Sequence, residues 1–376
     1  MKTNKIKLIT LVGTRPEIIR LSRIITELDK FFDHTFIHTG QNFDFELNEL
    51  FFKDLDLRLP DIYLECGGGN AANTIAEVIK KSDEVYSDLN PDALLILGDT
   101  NSSLAAIPAK RRKIPIFHME AGNRSYDQRV PEEINRKIVD HISDINLPYT
   151  QIARDYLIAE GINPETIIKT GSPLDEVIHY YRDKIDSSSI LEEMKIEPKK
   201  YLLVSSHREE NIDYDNFFTF VELLNELAKK FNFPILLSTH PRTKKRIEKE
   251  NIKFNELVKL HKPFSFTDYC KLQIESRAVL SDSGSITEES SILNFPALNL
   301  RETHERPEGF EEGSVILTGL KLDNVLLGIE ILDEYENDLR QLNKVKDYNS
   351  LNLSLKIPRI ILSYIDYVNN YTWKKK

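Results

Sequence analysis

The chain has 376 residues, room for two or three domains at roughly 100–200 residues each. Its composition, 40% hydrophobic and 29% charged, is that of an ordinary globular protein. With 50 Lys and Arg against 60 Asp and Glu the net charge is −10, which argues against a nucleic-acid partner because phosphate backbones demand a basic footprint.

A local basic pocket for a small phosphate ligand stays open. The two cysteines, Cys66 and Cys270, lie far apart and outside any ligand spacing. Neither a disulfide framework nor a metal site is expected, and a reduced, cytoplasmic setting is. The apolar run after the polar N-terminus covers only residues 8–12, too short for a signal peptide. No stretch approaches the roughly 18 apolar residues of a membrane span.

Residues 6–12 (IKLITLV) form a near-continuous apolar run, followed by Gly13-Thr14-Arg15-Pro16-Glu17 and a helical pattern over 18–28. A buried strand, a glycine turn and an amphipathic helix open a parallel βαβ unit. Further strands are expected at 34–38, 92–97, 114–118 and 145–148, with helices at 42–55, 72–89, 102–110, 131–143 and 150–160. The pattern restarts with strands at 201–205, 235–238, 277–281 and 296–300 and helices at 216–231 and 287–293. Strands alternating with helices at this spacing mean doubly wound parallel sheets. The expected fold class is α/β, with two Rossmann-like domains and a cleft between them. The N-terminal domain is placed at 1–180 and the C-terminal domain at 181–355, and the tail 356–376 has helical spacing that returns it to the first domain.

In open α/β sheets ligands bind outside the C-terminal ends of the strands, and five polar clusters fall there. Gly13 to Glu17, with Arg20, offers a tight turn, a helix N-terminus and two guanidinium groups, all suited to phosphate. It reads equally as a plain helix start, and it lacks GxGxxG. Asp99, in Gly98-Asp99-Thr100, and Glu120, in His118-Met119-Glu120-Ala121-Gly122, follow neighbouring strands, and Glu132 or Glu133 supplies a third acid. Close carboxylates raise one another's pKa, which suits proton transfer near neutrality. Helix capping and first-turn acids are the structural alternatives. In the second half, His207 and Arg208 follow a strand, as do His240 and Arg242. Ser283, Gly284 and Ser285 open a helix as a nest for phosphate, with Glu289 one turn later for ribose hydroxyls. Arg301 to Glu308 is a charged loop containing Arg306.

Seven motifs in this order, GTRPE at 13–17, GDT at 98–100, HMEAG at 118–122, PEEINR at 131–136, SHREEN at 206–211, SDSG…EE at 281–289 and HERPE at 304–308, resemble the non-hydrolysing UDP-N-acetylglucosamine 2-epimerase family over nearly the whole chain. The resemblance implies two Rossmann-like domains in a glycosyltransferase-B arrangement, a homodimer, and a UDP-N-acetyl sugar substrate. It implies no cofactor and no metal. Carried over by motif, Arg15, Arg20, Ser283, Gly284, Ser285, Glu289 and Arg306 bind substrate or UDP, while Asp99, Glu120, Glu132 and His207 are catalytic. The family reaction eliminates UDP across C1–C2 and adds it back after reprotonation on the other face of C2.

Arg20 stands where the best-known members have Lys, Ser285 replaces a second Gly, Asp44 replaces one of a Gln pair near Gln41, and Glu132 follows Glu120 by twelve positions, a short loop over 123–130. These departures resemble the UDP-N-acetyl-L-fucosamine synthase branch, which acts on UDP-2-acetamido-2,6-dideoxy-L-talose. The competing expectations are a glycosyltransferase of the same architecture, for which no basic-aromatic amphipathic stretch is found, and a catalytically silent nucleotide-sugar binder.

Overall fold

The computed structural model describes residues 5–40, 51–206, 216–239, 241–334 and 344–375. The apolar runs form strands because each is covered on both faces. Every residue of β1 (Lys7–Val12) after Lys7 is buried. The first sheet continues with β2 (Asp33–His38), β3 (Ile62–Tyr63), β4 (Ala93–Leu97), β5 (Ile116–Met119) and β6 (Ile145–Leu147). It is parallel throughout, in the order β3-β2-β1-β4-β5-β6. The second sheet contains β7 (Leu202–Ser205), β8 (Ile235–Ser238), β9 (Val258–His261), β10 (Ala278–Ser281), β11 (Ala297–Asn299) and β12 (Ile316–Leu317). Its order, β12-β11-β10-β7-β8-β9, repeats the first when its strands are counted from β7. Both are doubly wound sheets whose strand order reverses at one point, between β1 and β4 and between β7 and β10. Such a switch point is where this architecture opens a ligand crevice.

The helices of the first unit are α1 (Arg15–Phe31), α2 (Ala71–Leu89), α3 (Ala106–Arg111), α4 (Pro131–Ile142), α5 (Gln151–Ala159) and α6 (Pro173–Tyr180). A 3-10 turn, Asn101–Ala105, precedes α3, so one expected helix begins as a tighter coil. The second unit carries α7 (Arg182–Asp186), α8 (Ile190–Met194), α9 (Asn216–Phe231), α10 (Pro241–Lys249), α11 (Phe266–Glu275), α12 (Ser285–Leu293), α13 (Pro307–Glu311) and α14 (Leu322–Glu334). α9 shows how such a helix is fixed. Phe217, Phe220, Val221, Leu223, Leu224, Leu227 and Ala228 recur at helical spacing and are buried, and most of them join the Leu202, Val204 and Leu280 core of the second sheet. The expected helix over 42–55 lies largely outside the described residues.

The chain divides into one compact unit of Met1–His179 with Asp347–Lys376 and another of Tyr180–Lys346. The return to the first unit therefore starts at Asp347, ahead of the expected 356. The reason is a polar anchor. Asp347 accepts from the Gln151 amide and from Lys169, each at 2.6 Å, and the Ser350 amide donates to Asp175 at 2.8 Å. α15 (Leu353–Tyr367) then packs on α1, and Trp373 lies under the Lys110 ammonium, 5.1 Å from its ring centre. Among the described residues no helix is long and apolar enough to cross a membrane.

Candidate active site

The loop after β1 is shaped by what surrounds Gly13. A Cβ there would stand 1.8 Å from Ser102 Oγ and 2.5 Å from Thr39 Oγ1, and those two hydroxyls bond each other at 2.7 Å. Only glycine lets the ends of β1, β2 and β4 approach this closely. α1 starts at once, with Thr14 as N-cap and Pro16 in its first turn. Glu17, 3% exposed, reaches back: it accepts from the Gly13 amide at 2.5 Å, the Thr14 hydroxyl at 3.0 Å and the Thr100 hydroxyl at 2.8 Å. Burial, the largest influence, pushes its carboxyl up to about 7 against the pull of these donors. The half-buried Arg15 lies 5.6 Å over the Phe51 ring. Arg20, on the next turn of α1, is buried with its Nε 3.6 Å from Glu120 Oε2.

Asp99 sits two residues beyond β4, after Gly98, whose φ is +75°. Its carboxylate is held by Arg136 of α4, with Nε at 2.9 Å and Nη2 at 2.7 Å. Asn135 donates to the Asp99 carbonyl at 3.0 Å. Glu120 immediately follows β5 with φ +62°, a left-handed backbone that costs a residue with a Cβ and persists only where its surroundings enforce it. Asp99 and Glu120 are thus each paired with a guanidinium. The two glutamates of α4 part company. Glu133 is fully buried and accepts from the Ser125 amide and hydroxyl, the Tyr126 amide and Arg136, at 3.0 to 3.2 Å. It therefore anchors the 123–130 loop, whereas Glu132 is only half-buried.

Behind the acids lies a buried charged network around His118, the first residue of the HMEAG motif, whose partners Asp140 and Glu160 lie outside the motifs. His118 Nδ1 is 2.9 Å from Asp140 and its Nε2 is 2.9 Å from the Gly98 carbonyl. Burial opposes a charge on this ring, but the Asp140 carboxylate and the Gly98 carbonyl outweigh it and raise its pKa above the ordinary histidine value. Arg124 joins Asp140 at 2.7 Å and grips Glu160 through two nitrogens at 2.8 and 2.6 Å. His38, at the end of β2, behaves oppositely. Its Nδ1 accepts from the Gly40 amide at 2.9 Å, and burial lowers its pKa to about 4.

In the second unit the switch point lies between the ends of β7 and β10. Ser206 donates to the fully buried Asp282 at 2.7 Å. The turn Ser281 to Ser285 is stitched by hydroxyls: Ser281 Oγ accepts from the Ser283 amide at 3.1 Å, and Ser283 and Ser285 share a hydrogen bond at 2.9 Å. Gly284 is the N-cap of α12 and Ser283 Oγ accepts from the Ser285 amide at 3.3 Å; the positive end of the helix dipole lies at this turn and suits an anion. Gly284 is again a matter of space, because a Cβ would meet Glu305 Oε1 at 2.1 Å, and Glu305 is bound to the buried Arg301. Arg306 is aimed by Glu288, 3.0 Å away and fully buried. Glu289 accepts from Gln273 at 2.6 Å. His207, Arg208, Gln41, Asp44 and His240 lie outside the described residues.

A sequence profile described as UDP-N-acetylglucosamine 2-epimerase matches residues 26–362. Over 331 residues the chain is 36% identical to a UDP-N-acetylglucosamine 2-epimerase homolog of Methanococcus maripaludis, covering 86% of this chain and 91% of that protein. The structure of UDP-N-acetylglucosamine 2-epimerase from Rickettsia bellii is similar with a TM-score of 0.91 at 50% identity, covering 99% of this chain and 100% of that one. The Methanocaldococcus jannaschii UDP-GlcNAc 2-epimerase, solved in complex with UDP-GlcNAc and UDP, is similar with a TM-score of 0.88 at 31% identity, covering 95% and 100%.

Proposed function

The chain belongs to the UDP-N-acetylglucosamine 2-epimerase family and is an isomerase of that type, and on this premise we propose that it inverts C2 of a UDP-2-acetamido sugar, UDP-N-acetylglucosamine first, by eliminating UDP and adding it back. The observation that carries this reading is placement. Asp99 and Glu120 stand at strand ends of the first sheet, with Asp99 at its switch point, and the hydroxyl-rich start of α12 stands at the switch point of the second.

The chemistry follows from the groups available. A carboxylate of the first unit, acting as base, removes the proton at C2 as the bond from C1 to the diphosphate oxygen breaks, leaving a C1–C2 double bond and free UDP. A second acid delivers a proton to the opposite face of C2, and the diphosphate oxygen returns to C1. The C2 proton is weakly acidic, so its removal needs a leaving group stabilised in concert. Ser283, Gly284, Ser285 and Arg306 take the diphosphate, Glu289 the ribose, and Arg15 and Arg20 bring positive charge beside the acids. Asp99, Glu120 and Glu132 move the protons, together with His207.

A second substrate, UDP-2-acetamido-2,6-dideoxy-L-talose, is favoured by the short 123–130 loop. That loop is pinned by Glu133, which accepts from the Ser125 and Tyr126 amides. The test incubates the protein with each UDP-sugar and no acceptor and follows the anomeric and C2 signals by NMR. An equilibrium mixture of C2 epimers from one of them is expected. Turnover only after addition of a sugar acceptor would make the protein a glycosyltransferase instead.

A further inference from the structure

Glu17 belongs to the first motif of the chain but has no part in the proton transfers above. Its contacts give it another task. A first-turn glutamate that only closes its own helix start needs no donors beyond those of the N-cap and the residues beside it. Glu17 takes these from Thr14 and Gly13, and it also accepts from Thr100, 83 positions away. Thr100 adjoins Asp99, whose carboxylate Arg136 fixes from the other side. Thr14 adjoins Arg15. One buried carboxylate therefore spans the loop after β1 and the loop after β4, the two sides of the first switch point.

The packing around the bridge leaves little slack. Gly13 lies against Ser102, with no room for a single added carbon, and Ser102 belongs to the 3-10 turn that begins just after Thr100. The two loops are thus close enough for the carboxylate to set their spacing. In such a site a displacement of about 1 Å costs on the order of a hundredfold in rate.

We propose that Glu17 is a positioning residue: by joining the Gly13–Thr14 turn to Thr100, it fixes Asp99 relative to Arg15 for the isomerisation. This rests on the assignment of Asp99 as a catalytic acid. Glu17 itself moves no proton to or from the sugar; it acts through the loops that it joins.

The experiment compares Thr100→Val, Glu17→Gln, the double variant and Thr100→Ser in steady-state epimerisation of UDP-N-acetylglucosamine, with folding of the first unit followed by Trp373 emission. Each of the first two is expected to lower kcat by about tenfold or more, with KM changing less. Because both break one bridge, the double variant should be within about twofold of Glu17→Gln instead of multiplying the losses. Thr100→Ser, which retains the hydroxyl, should recover most of the rate. A folded Thr100→Val with kcat within about twofold of wild type overturns the proposal, as do losses that multiply. If Glu17→Gln does not fold, the contrast between Val and Ser at position 100 decides. A wild-type protein that leaves C2 untouched removes the isomerase reading and this one with it, whereas active wild type with unaffected variants removes the bridge alone.

Discussion

Glu17 and His38 are both buried in the first unit, at 3% and 1% exposure, and they bend its stability in opposite directions as pH changes. The folded Glu17 carboxyl titrates at about 7 against an ordinary 4.5. Between those values the unfolded chain has released the proton and the folded chain retains it, so stability falls as pH rises. At roughly 1.4 kcal/mol per pH unit the loss is about 3 kcal/mol. His38 titrates at about 4 when folded against an ordinary 6.5. Between those values the unfolded ring is protonated and the folded one is not, so stability falls as pH drops, again by about 3 kcal/mol. Over pH 4.5 to 6.5 the two slopes nearly cancel. Single substitutions expose them. Relative to wild type, Glu17→Gln should gain about 3 kcal/mol as pH rises from 4.5 to 7, and His38→Asn should gain a similar amount as pH falls from 6.5 to 4. Urea unfolding followed at Trp373 measures this, because the chain has one tryptophan and it lies in the first unit. Taking the difference from wild type at each pH removes every other titrating group. A Glu17→Gln difference that stays flat to within about 0.5 kcal/mol across the window would refute the claim that this carboxyl is desolvated.

Gly13→Ala should destabilise the first unit by about 1–3 kcal/mol through overpacking against Ser102, read by the same unfolding curve. Gly284→Ala pushes the Glu305 carboxylate aside and should weaken UDP binding by calorimetry about tenfold or more through loss of close approach at the helix start. Asp140→Asn breaks the tie to Arg124 at 2.7 Å and the contact with His118. Taking the carboxylate from the buried His118 and leaving Arg124 to Glu160 alone, it should cost about 3–5 kcal/mol of first-unit stability.

The sheets were readable in the sequence because their central strands are short apolar runs between helices of clear period. What escaped lies at the edges. β9 has only Val258 buried, with Lys259 and Leu260 exposed, and β3 and β12 are two residues each, too short to carry a pattern. α14 was missed because its apolar residues run together, with Leu327 and Ile331 exposed. At the candidate site, strand ends could be located from local sequence, and so could glycines at tight turns. The partners could not. Arg136 lies 37 positions from Asp99, and the Glu17 bridge depends on Thr100. The helix start at 13–17 was visible, but that pattern gives no sign of the bond to a second loop. His118, Asp140 and Arg124 come together only through the pairing of β4 with β5 and the packing of α4 beside them.

The most direct test of the isomerase account is solvent exchange at C2. Wild-type protein in deuterated water with UDP-N-acetylglucosamine or the 6-deoxy-talose sugar should place deuterium at C2 of both epimers. The amide variants of Asp99, Glu120 and Glu132 should each slow that exchange by about a hundredfold or more. Deuterium absent from C2 while the sugar nucleotide is bound, or exchange undiminished in all three variants, would contradict it.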